Sequence, residues 1–104
     1  MAVPRLEYRV TATFVTVTSY RPAEGILAEV VDGRAALVNP AGTELFTLNP
    51  VGSVVWGALD HPHDLEGLVE AVLAVCEPVA REVVTADVRR FLAELVELGL
   101  IVTD

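Results

Sequence analysis

His61, His63, Asp64 and Cys76 are the residues whose types could hold a metal or attack a substrate. A zinc site needs about four convergent ligands at recognisable spacing. Here the two histidines flank Pro62 in a short connector, and Cys76 is the chain's single cysteine. A nucleophilic thiol needs a neighbouring cation to lower its pKa. No cation stands near Cys76 in sequence, and its position in an apolar helical stripe predicts a small buried residue. The fifteen carboxylates show no close pairing suited to proton transfer and read as solvated helix faces. No glycine-rich phosphate loop occurs. These residues predict no metal, no cofactor and no catalysis.

Charge narrows the partner. The 104-residue chain has seven arginines, no lysine and a net charge of −8. After Gly57, ten carboxylates face only Arg81, Arg89 and Arg90. Nucleic-acid affinity comes mainly from cations that displace counterions, so this field disfavours DNA and RNA. It disfavours anionic membranes for the same reason. No apolar run is long enough for a transmembrane helix, and the N-terminus lacks the basic start of a signal peptide. A lone cysteine suits a reducing compartment. The expectation is a cytoplasmic protein with a polypeptide partner.

The elements are legible in order. Residues 8–20 are rich in β-branched side chains and predict a strand, with a phase break at Phe14-Val15. Residues 26–31 and 34–39 flank Asp32-Gly33, a hairpin signal because the type I′ turn needs positive φ at both central residues. After the turn Pro40-Ala41-Gly42, residues 43–48 predict a third strand. Thr43, Leu45 and Thr47 share one face of it; Glu44, Phe46 and Leu48 share the other. Asn49-Pro50 is an N-cap followed by a first-turn proline. It predicts a helix over 50–59 with Val51, Val54, Val55, Ala58 and Leu59 on one stripe and Trp56 beside it, packed as structure. Asp64 can cap a second helix over 65–76, ended by Glu77-Pro78. A third helix over 80–98 carries Val84, Val88, Phe91, Leu92, Leu95 and Val96, with Gly99 as its terminator. Residues 100–102 can fold back on the core. Strands first and three helices after predict a segregated α+β fold, winged helix-turn-helix-like in outline. Length predicts one domain.

Two stretches resemble a known family. Leu45-Phe46-Thr47-Leu48-Asn49-Pro50-Val51-Gly52-Ser53-Val54-Val55-Trp56 resembles the strand-to-helix junction of PqqD-like peptide recognition elements. Asp87-Val88-Arg89-Arg90-Phe91-Leu92, with Leu95 and Gly99-Leu100-Ile101, is similar to the family's closing helix. The resemblance covers residues 21–102, so residues 1–20 read as an extension and 21–104 as the domain. The Leu-Asn-x-x-Gly-x-x-x-Trp form looks most like free-standing members that serve lasso-peptide biosynthesis. Leu45 stands where those members often carry Tyr, and Gly42 is displaced by about one residue from the usual glycine.

The resemblance implies a binding module and not an enzyme. In that family the leader of a ribosomally made precursor peptide adds as a strand to the meander edge, beside the third helix. The leader is then delivered to a separate protease, cyclase or radical enzyme. Carried over, the docking strand is Thr43, Glu44, Leu45, Phe46, Thr47 and Leu48, and the groove wall is the 80–98 helix with Val84, Val88, Arg89, Phe91, Leu92 and Leu95. Residues 43–48 contain no proline, as an accepting edge requires. On residue types alone, core packing is the plainer reading of the apolar members of that wall, and lining the groove is the alternative. Arg89 and Arg90 suit either contact with leader acids or pairing along the helix, as Arg90 with Glu94. The alternative is a winged-helix DNA-binding regulator, with the third helix in the major groove. The acidic charge of Glu82, Asp87, Glu94 and Glu97 opposes it.

Overall fold

A computed structural model describes residues 18–61, 63–76 and 78–103. Most of the strand expected over 8–20 lies outside the described residues. Its end, Ser19-Tyr20, opens strand β1 (Ser19–Pro22).

The hairpin forms where the Asp-Gly pair requires it. Asp32 has φ +52° and Gly33 φ +77°, joining β2 (Leu27–Val31) to β3 (Arg34–Val38). β4 (Leu45–Thr47) pairs antiparallel on the other side of β3, giving a meander in the order β2-β3-β4. Register places Leu37 opposite Phe46 and Val38 opposite Leu45. Ala35 and Leu37 are buried; Leu27 and Leu45 lie on the outer face with Val38 between them.

Three helices follow. In α1 (Pro50–Ala58), Asn49 Oδ1 accepts the Gly52 N–H at 2.7 Å. In α2 (Leu65–Val75), Asp64 Oδ1 accepts the Gly67 N–H at 2.8 Å. Both satisfy first-turn donors that a helix cannot pair internally. α3 (Arg81–Glu97) has no side-chain cap. It ends at Gly99, φ +74°, with the Leu100 N–H on the Leu95 carbonyl and the Gly99 N–H on the Val96 carbonyl. That pair of bonds is a Schellman terminus. Val55, Leu59, Leu68, Val69, Val72, Val84, Val88, Leu92 and Leu95 close the core against Ala35 and Leu37. An Arg81–Glu70 ion pair ties the exposed sides of α2 and α3. The guanidinium pKa is raised by that hydrogen bond and charge.

The α+β class and the order of strands before three helices are as expected. A second sheet is added to that outline. β1 is its centre, flanked by β5 (His63–Asp64) and β6 (Ile101–Thr103). His63, expected in a plain connector, therefore opens a short strand. Two- and three-residue strands exist through pairing partners distant in sequence, so no local periodicity announces them. Among the described residues, no helix is long and apolar enough to cross a membrane.

Candidate functional site

Hydrogen-bond parity in β4 defines an open edge. The Leu48 N–H bonds the Ala35 carbonyl at 2.8 Å, and the Asn39 N–H bonds the Glu44 carbonyl at 3.2 Å. Pairs 35/48 and 39/44 are therefore the hydrogen-bonding type, and alternation makes 38/45 and 36/47 the other type. The backbone N–H and C=O of Leu45 and Thr47 point away from β3. Among the described residues no strand pairs with that side of β4.

The edge has a definite beginning. Asn39 Oδ1 accepts both the Thr43 N–H, at 2.8 Å, and the Glu44 N–H, at 3.1 Å, while its Nδ2 donates to Thr43 Oγ1 at 3.0 Å. This side chain consumes the backbone donors of the two residues that would otherwise extend the strand. The accepting strand expected over 43–48 is thus three residues, Leu45–Thr47. The residues beyond it, Leu48 and Asn49, turn into α1.

That turn is anchored by Ser53. Its Oγ accepts the Ala35 N–H at 2.8 Å and donates to the Asn49 carbonyl at 2.9 Å. The Leu48 carbonyl, the natural ladder partner of Ala35, takes the Arg34 Nε–H at 3.2 Å instead. One hydroxyl therefore welds the first turn of α1 to the end of the β3–β4 ladder.

A cavity of about 560 Å³ reaches Asn49, two residues past the end of the edge. Asn49, Val51, Gly52 and Val55 form its α1 wall; Val84, Asp87, Val88, Arg90, Phe91 and Glu94 form its α3 wall. Val72, Cys76 and Val79 close it from α2 and the loop that follows. The lining is chiefly valine. Asp87, Arg90 and Glu94 supply its charge, and Arg90 lies 3.7 Å from Asp87. Such a concave apolar surface with a few polar groups suits a side chain of a partner. The neighbouring edge suits the partner's backbone.

These residues lie within a recognised family span. The family model for coenzyme PQQ synthesis protein D, PqqD, matches residues 34–101. The chain belongs to the PqqD family. Two solved structures share its fold. TbiB1 in complex with the TbiA(beta) leader peptide superposes at a TM-score of 0.71, with 27% identity over 78% of this chain and 93% of that one. Lasso peptide synthetase B1 complexed with the leader peptide superposes at 0.68, with 20% identity over 80% and 96% of the two chains. No curated protein matches the sequence at a significant level.

In this PqqD-family chain the residues marked in the sequence separate into four groups. Val84, Val88 and Phe91 line the cavity, and Phe91 is half-buried. Leu92 and Leu95 are 1% and 2% exposed and sit in the core behind that wall. Leu48 is also buried, whereas Thr43, Glu44, Leu45, Thr47 and Arg89 are exposed. Phe46 is half-buried on the inner face of the meander, opposite Leu37. Arg90 pairs with Asp87, one turn towards the helix start, and not with Glu94. Cys76 is half-buried and borders the cavity, instead of being enclosed as its stripe suggested. His63 Nδ1 lies 2.6 Å from the His61 carbonyl. Among the described residues no three His, Cys, Asp or Glu converge on a metal position.

Sequence reasoning missed Val51, Gly52 and Val79. Val51 was assigned to the core stripe of α1 yet is 46% exposed, and Val79 is 47% exposed in a loop. The available signal was an excess of valine over what one buried face of α1 and α3 can absorb.

Proposed function

We propose that this chain binds the leader segment of a ribosomally synthesised precursor peptide by strand addition to β4, and hands it to separate processing enzymes, in lasso-peptide biosynthesis. The observation that carries the reading is the outward-facing backbone at Leu45 and Thr47, an edge that ends two residues before Asn49 on the rim of the valine-rich cavity. Membership of the PqqD family and likeness to a leader-bound TbiB1 support it. The leader backbone would bond Leu45 and Thr47, and its alternate side chains would face inward beside Phe46. A leader protease, cyclase or other modifying enzyme would act on the peptide so presented. The chain itself acts as an adaptor, in the cytoplasm where the precursor is made. We assign the binding unit to residues 21–104, which β1 joins from residue 19.

Magnitudes agree with this role. One or two apolar leader side chains contribute about 1.5–3 kcal/mol each on burial. Ordering and association costs offset much of that. Backbone bonds to a free edge supply the remainder needed for roughly micromolar affinity.

Thr47→Pro tests the proposal. Proline removes an N–H that points away from β3, so the internal ladder keeps its bonds while the outer edge loses a donor. Anisotropy titration of a labelled synthetic leader, from the precursor encoded beside this chain's gene, is expected to show binding by the wild type and by Thr47→Val. Thr47→Pro is expected to lose about tenfold or more, equivalent to about 1.4 kcal/mol. Equal affinity for Thr47→Pro and Thr47→Val, with the chain folded, would contradict strand addition here.

A further inference from the structure

Gly52 is a glycine that its backbone does not require. It lies in the first turn of α1 with ordinary helical φ, where glycine is unfavourable relative to alanine. A Cβ built on it would stand 2.9 Å from Phe91 Cζ and 3.2 Å from Phe91 Cε1. Real Cβ atoms essentially never approach a neighbour under 3.0 Å. Gly57, on the same helix, has nothing within 4 Å of the equivalent position, so the close approach belongs to residue 52. Both Gly52 and Phe91 border the cavity.

We propose that Gly52 is a positioning residue for precursor recognition: its missing Cβ seats the Phe91 ring against the first turn of α1, and this keeps the cavity beyond β4 open to an apolar side chain of the leader. The inference rests on the leader-binding reading above and adds to it a determinant of which side chain fits. Phe91 packs against a buried core that includes Leu92, 1% exposed, and a close-packed core does not yield to a ring. The empty side is the cavity. A methyl at residue 52 therefore drives the ring outward, into the volume bounded by Val51, Val55, Val79 and Val88. The atom that must move is the far end of a side chain, so the fold survives while the cavity closes. The same Cβ would stand 3.1 Å from Asn49 Oδ1, which caps the helix, and loss of that cap is the competing route to any effect.

A four-protein cycle separates the routes. Wild type, Gly52→Ala, Phe91→Leu and the double variant are titrated with the same labelled synthetic leader, and their thermal melting is recorded. Gly52→Ala is expected to melt no lower than the wild type yet bind about tenfold or more weakly. Phe91→Leu, lacking the ring atoms that collide, sets the reference affinity for the double variant, whatever its own loss as a cavity residue. The double variant is expected to return to within about threefold of Phe91→Leu, which disruption of the Asn49 cap would not allow. Undiminished binding by Gly52→Ala, or a further loss of about tenfold when Gly52→Ala is added to Phe91→Leu, overturns this role and leaves leader binding standing. No binding by the folded wild type overturns the functional reading and this role together.

Discussion

Ser53 shows how much of the site depends on single side chains. Its hydroxyl is the partner of an Ala35 N–H that the Leu48 carbonyl does not satisfy. Replacing it with alanine leaves that buried donor unpaired, which costs about 1–3 kcal/mol. Urea unfolding of Ser53→Ala is expected to show a lower midpoint with an unchanged slope. Leu92, 1% exposed behind the cavity wall, is expected to cost about 2–5 kcal/mol as Leu92→Ala, by the same measurement. At this scale the sequence was only partly legible. Asn49 and Asp64 announced themselves as caps, because their type and position suffice. The division of the α3 stripe was not readable, since Phe91 and Leu92 are adjacent apolar residues at helical spacing and only packing makes one a lining and the other core. Ser53 gave no signal, because its partner Ala35 lies on β3, 18 residues away in sequence.

The decisive element is β4, and its length is set from outside. Residues 43–48 alternate like a six-residue strand, yet Asn39 ends the pairing at Leu45 by taking the Thr43 and Glu44 N–H groups. Asn39→Ala is expected to free both donors, and amide hydrogen exchange at Thr43 and Glu44 is expected to accelerate relative to Leu48. Unchanged exchange at both would show that the loop is held by other means. The three helices and the Asp-Gly hairpin were legible because each carries local chemistry: a cap, a terminator, positive-φ residues. β5 and β6 were not, since His63–Asp64 and Ile101–Thr103 become strands only by pairing with β1. The same limit hid the cavity, which needs α1, α2 and α3 placed together.

Over the whole molecule, charge and exposed backbone select the partner. A net charge of −8 and the exposed Glu82, Asp87, Glu94 and Glu97 on α3 oppose the phosphates that a winged-helix regulator must contact. Titration with duplex DNA at about 50 mM salt is expected to show no binding, because counterion release supplies most such affinity. Tight binding there would favour the regulator. Among the described residues the meander also has a second unpaired edge, β2, whose five residues are all exposed. The leader is expected at β4 because the chain leaving that edge borders the cavity at Asn49, whereas no residue of β2 lines it. Residue-resolved amide exchange of the chain with and without saturating synthetic leader tests this most directly. The expected result is strong new protection of the Leu45 and Thr47 amides with Leu27–Val31 unchanged; protection confined to Leu27–Val31, or none at either edge, would contradict it.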